Sequence, residues 1–275
     1  MSLEELYEYY INADDLEEKL KKICADLEQL DLNLKPISTP RYELLTMRLQ
    51  EISNRLTYLQ HIDFSQTYDV LKSIPEILQK SAEQWAKYDW VPYLPMNESK
   101  QTIYLLSPTS QENADQIMLE QLDDKQISQL FEKLSEKVKS HSHNTNTFEE
   151  AVKCYTAGLY SGCALLLFAI IDSCFLIGQT TEGKSKRDLA GKAVEKSFDE
   201  EKSQYVISAL ATRLIVEKLF EYAHDFDSQY ETGVNRNFLS HGMNKYVPTQ
   251  TDCLKLFVLL YNIYVSFDTK CFRWS

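Results

Sequence analysis

Glycine and proline are scarce in this 275-residue chain, at seven each. That scarcity disfavours sheet and turn-rich folds and favours helix. Basic charge is short too: 29 Lys and Arg stand against 41 Asp and Glu, a net charge of −12. So acidic a chain is no general binder of polyanions, and any nucleic acid must be met at a local pocket. The six cysteines, at 24, 154, 163, 174, 253 and 271, include no CxxC pair and form no Cys/His zinc pattern. The longest apolar run, Cys163 to Ile171, ends at Asp172. It is far short of the ~20 residues of a membrane span. The first residues, Met1-Ser2-Leu3-Glu4-Glu5, are acidic and do not resemble a secretory leader. The expectation is a cytoplasmic protein with reduced core thiols, no metal, no cofactor and no membrane segment.

What is plentiful is Leu, Glu, Lys, Gln and Ala, and the predicted fold class is all-α. Charge and punctuation divide the chain. Residues 1–145 hold 25 acidic and 15 basic side chains, a balance of −10, and residues 146–275 hold 16 and 14, a balance of −2. All seven glycines lie between 158 and 242, and six of the seven prolines lie at or before 108. The polar, aperiodic run 141–146 is the expected boundary. Residues 1–145 then form a helical accessory, sensor or interaction region, and 146–275 a C-terminal helical bundle. His141 and His143 in that run have no third ligand in sight and read as a solvated hinge.

In the N-terminal part, Ser2 and Glu5 have capping-box spacing. Apolar stripes at Leu16, Leu20, Ile23, Leu27 and Leu30, and at Leu45, Leu49, Ile52, Leu56 and Leu59, predict an antiparallel helical pair. Ser73-Ile74-Pro75-Glu76 predicts a helix start. Asp89 to Pro95 cannot be helical throughout, and its aromatic residues either pack or form a recognition surface. A short strand is expected at 102–106, and helical periodicity returns over 113–140.

In the C-terminal part, one long helix is expected from about Phe148 to Ile177. It contains Gly158 and Gly162, whose cost in a helix asks for a close neighbour. Asp172 sits among Leu165, Leu166, Leu167, Phe168, Ile170, Ile171 and Phe175. A carboxylate there needs a basic partner or a wet cleft. Gly183-Lys184-Ser185 lacks the earlier glycine of a phosphate-binding loop, so that reading is rejected. Helices are expected over 186–197 and 200–226, and a last apolar helix over about 250–267.

Between them lies Asn235-Arg236-Asn237-Phe238-Leu239-Ser240-His241-Gly242. Arginine presents a permanently charged fork that suits phosphate oxygens. Histidine gains and loses a proton near neutrality. Together they supply charge stabilisation and proton transfer, two needs of phosphodiester cleavage. The glycine after the histidine can take backbone angles closed to other residues.

Tyr155, Gly158, Tyr160, Ala164 and Asp172 on one helix, followed by Arg236, Asn237, His241 and Gly242 and then an apolar helix, resemble the HEPN superfamily over about residues 147–268. The resemblance implies a metal-independent endoribonuclease, often in phage defence or toxin–antitoxin systems, that acts as a homodimer with facing motifs. It implies His241 as general acid/base, Arg236 as phosphate holder, Asn237 as the orienting residue, and Asp172 as the acidic position of the earlier helix. Attack by the RNA 2′-hydroxyl would leave a 2′,3′-cyclic phosphate, and DNA would be spared. One departure is Met243, where antitoxin-paired members carry tyrosine. It points instead to a nuclease regulated by its own N-terminal part, or to one with a protein partner bound there. The alternatives are a non-catalytic HEPN scaffold for RNA, a nucleotide or a protein, and a purely structural helical adaptor.

Overall fold

The computed structural model describes residues 64–94, 107–141, 145–177, 190–203, 206–221 and 233–273. The expected helical pair of residues 1–60, the strand at 102–106, His143 and the Gly183-Lys184-Ser185 loop lie outside them. The described residues are all-α, with no strand. They form α1 (Phe64–Ala86), α2 (Gln111–Leu119), α3 (Asp124–Ser140), α4 (Thr145–Thr156), α5 (Tyr160–Ile177), α6 (Ala190–Ser197), α7 (Glu200–Ser203), α8 (Ile207–Leu219), α9 (Arg236–Ser240) and α10 (Gln250–Asp268). No described helix is long and apolar enough to cross a membrane.

The chain divides into two compact units after Asp69. In the second unit α3 and α4, on either side of the expected boundary at 141–146, pack on each other. His141 caps the end of α3, where its ring faces Tyr264 of α10 at 4.8 Å and its Nε2 lies 3.3 Å from the Asp268 carboxylate.

The centre of this unit is α10. Its first turn is set by a capping box between Thr249 and Asp252. Almost every residue from Cys253 to Phe267 is buried, on all sides of the helix. A helix apolar all round must be enclosed, and α10 is flanked by α3, α5 and α8. Its Phe257 ring meets Phe131 of α3 at 4.6 Å and Tyr155 of α4 at 5.8 Å. Each such side chain contributes roughly 1.5–3 kcal/mol by leaving water. On the far side, α6 packs on α5 and α8. An antiparallel bridge from Phe198 to Phe272 fastens the chain after α10 to the end of α6.

Several predicted helices are divided or extended. The helix expected over 148–177 is two, α4 and α5, folded back as a hairpin. Gly158 turns the chain at φ +73°, with the Gly158 N–H donating to Tyr155 O and the Leu159 N–H to Cys154 O. This is the paired-bond end of a helix, which favours glycine because a side chain at positive φ is strained. Gly162 faces α4, where an added Cβ would stand 3.5 Å from Cys154 Sγ. The stretch 113–140 is also broken, by a new capping box between Asp123 and Gln126. The 200–226 stretch divides into α7 and α8. At Pro75 the predicted start is instead the interior of α1, which runs on through it. The missing Pro N–H costs one helical bond without ending the helix.

The aromatic segment after α1 packs. Trp90 is fully buried, and its indole N–H donates to Asp115 at 2.7 Å. Lys255 of α10 reaches the same carboxylate at 2.9 Å, and the Asn262 amide donates to the Tyr93 carbonyl. α1 ends in the same paired-bond turn as α4, but Asp89 holds the left-handed position at φ +62°. Its carboxylate meets Lys218 of α8 at 2.8 Å. Burial pushes the Asp89 carboxyl up, against the pull of Lys218 and Lys255. A carboxyl raised in the folded state favours folding below its unfolded pKa and loses that advantage as pH climbs through the raised value. The stability of Asp89→Asn relative to the parent chain should therefore rise between about pH 4 and pH 7. Urea denaturation at both pH values measures this, and an unchanged or falling difference contradicts it.

Candidate functional site

The site is built on α9, a helix of five residues. So short a helix is marginal by itself, and it is held at both ends. At its start the Asn235 side chain accepts the N–H groups of Asn237, at 2.9 Å, and Phe238, at 3.3 Å. That is the work of an N-cap asparagine. Val234 and Phe238 are buried, and α9 packs on α5. At its end His241 is the C-cap, its N–H bonded to Asn237 O, and Gly242 follows at φ +68°.

Arg236 leaves the first position of α9 and lies along Asp172 of α5. Its Nε donates to Asp172 Oδ2 at 3.0 Å, and Nη2 lies 2.9 Å from the same oxygen. The Asp172 side chain is only 9% exposed and that of Arg236 is 26% exposed. Asp172 Oδ1 accepts the Ala190 N–H, the first of α6, at 3.3 Å. The carboxylate set among apolar residues thus has the basic partner its position demands. A second arm comes from Asn237, buried beside it. Its Oδ1 accepts from Arg236 Nη1 at 3.1 Å, and its Nδ2 donates to the Glu221 carbonyl beyond α8 at 2.9 Å.

One side-chain network therefore joins α5, α6, α9 and the end of α8. A guanidinium carries five N–H donors. The described bonds engage three of them, and the side chain keeps part of its surface in solvent. His241, five residues on, is exposed. Chemically, the arrangement offers a fixed cation and a titratable imidazole at opposite ends of one short helix. Asp172 and Asn237 are both spent on holding Arg236, so neither has the exposure of a group that meets substrate.

The four residues singled out by sequence fall in two places. Asp172, Arg236 and Asn237 share one hydrogen-bonded cluster, and His241 stands at the other end of α9. Sequence reasoning gave no role to Asn235, although an asparagine directly before a helix is a capping signal. It also missed the backbone partners Ala190 and Glu221, which no residue type announces. Nor did it find the shallow pocket beside Val234, lined by Asp89, Asp252 and Lys255 over Leu219, Leu256 and Leu259. Among the described residues no group of three His, Cys, Asp or Glu could hold a metal ion. The described cysteines are unbridged, and all but Cys154 are buried. No family model, no curated protein and no solved structure matches this chain.

The Asp172–Arg236 pair makes a quantitative prediction. In a double-mutant cycle of Asp172→Asn and Arg236→Gln, urea denaturation should give a coupling of about 1–3 kcal/mol. A coupling near zero would mean that the pair does not hold α9 to α5.

Proposed function

We propose that the chain is a metal-independent endoribonuclease of the HEPN type, acting in phage defence or in a toxin-like role. The observation that carries this reading is the guanidinium of Arg236, clamped by Asp172 and Asn237, on the same short helix as the exposed His241. In this reading the remaining N–H groups of Arg236 hold the scissile phosphate. The RNA 2′-hydroxyl attacks the adjacent phosphorus as its proton passes to a base. The bond to the 5′-oxygen breaks, and that oxygen takes a proton. His241 is the group that moves protons. Asp172 is a positioning residue, as is Asn237. A homodimer would bring two copies of the motif to one cleft, and the acidic residues 1–145 would restrain the enzyme or bind a regulatory protein.

A non-catalytic scaffold for RNA, a nucleotide or a protein is the second reading. The balance of −10 over residues 1–145 favours it, since that charge repels RNA and suits a basic partner.

Incubation of the full chain with total RNA, with and without EDTA, separates the two. The expected result is cleavage that survives EDTA, leaves 2′,3′-cyclic phosphate ends and spares DNA. His241→Ala, an exposed change, should lower the rate by about 10²–10⁴-fold. Cleavage that needs added metal, or that His241→Ala leaves intact, overturns the nuclease reading. RNA bound equally by both proteins without cleavage supports the scaffold.

A further inference from the structure

We propose that Gly242 is a positioning residue for His241, setting the direction of the imidazole through the backbone turn that ends α9. The inference rests on the nuclease reading for its catalytic consequence, but its geometric claim stands apart from it.

α9 ends in a paired-bond turn. The Met243 N–H donates to Phe238 O at 2.8 Å, and the Gly242 N–H to Leu239 O at 3.2 Å. This pattern requires its second-last donor, here Gly242, to be left-handed, and Gly242 has φ +68°. His241 is the C-cap, at φ −96° and ψ 4°, with its own N–H on Asn237 O. No helical residue follows it. Asn235 caps the start of the helix, and the turn at Gly242 closes its end. If Gly242 leaves the left-handed region, both bonds of the turn are lost and the backbone that follows His241 is no longer held to α9 by them. In a longer helix the same glycine would merely stop the chain. Here the residue before it is the proposed proton-transfer group.

Two further observations shape the test. A Cβ added at Gly242 would meet no heavy atom within 4 Å, so substitution acts through backbone strain and not collision. The equivalent turn after α1 carries Asp89 at φ +62°, so this fold already places an Asp in that conformation. Asparagine shares the tolerance, whereas a β-branched residue at positive φ is a severe outlier.

The experiment compares Gly242→Asn and Gly242→Val in the full chain. RNA cleavage kinetics are read alongside the ¹H–¹³C signal of the His241 ring. Gly242→Val should move that signal and lower kcat by at least about tenfold, with KM little changed. Gly242→Asn should keep both near the parent values. A folded Gly242→Val protein with an unmoved His241 signal and parental kcat overturns the proposal. So does a Gly242→Asn protein as impaired as Gly242→Val. If the parent chain cuts no RNA, the nuclease reading fails, and the ring signal alone still decides whether Gly242 positions His241.

Discussion

A carboxylate inside the apolar α5 is what organises the second unit around the motif. Unpaired, the buried Asp172 would cost several kcal/mol. The fold answers with Arg236, 64 residues further along the chain, and with the first N–H of α6. Because the pair is mostly out of water, its geometry is restrained where an exposed ion pair would be loose. The same bonds that neutralise Asp172 therefore also aim the guanidinium. Asn237 completes the hold from a direction that Asp172 does not cover, and it draws in the chain beyond α8. Without this network α9 would be five residues of helix with little of its own to keep it formed.

The division of labour within the motif follows from burial. Asp172 and Asn237 have given their hydrogen-bonding capacity to the protein. Arg236 has given part of it, and His241 stands in solvent. Exposure thus separates Arg236 and His241 from the buried Asp172 and Asn237. Residues 146–275 are nearly neutral, at −2, so any attraction for phosphate is local to cations such as Arg236.

Much of this could be read from the chain, for stated reasons. The last helix was expected over about 250–267 and spans Gln250–Asp268, because its apolar run leaves no other choice. Asp172 demanded a basic partner, yet nothing in the sequence said which one, since the pairing is long-range. Gly158 read as an expensive residue inside one long helix. Its left-handed turn between two helices is a backbone fact that periodicity does not carry. The break before α3 was hidden because apolar spacing continues across it, although Asp123 and Gln126 spell its capping box. Pro75 read as a helix start because proline favours first turns, and only the surrounding structure shows the helix passing through it. The carbonyl of Glu221 could not have been foreseen, because every residue has one.

The most direct measurement is the exchange of the Arg236 Nε proton with solvent, read from its ¹H–¹⁵N signal in the 275-residue chain. The structure predicts a shifted, slowly exchanging proton whose protection disappears in Asp172→Asn. A signal that exchanges as fast as that of a solvated arginine, and that ignores Asp172→Asn, would contradict the clamp on which the site depends.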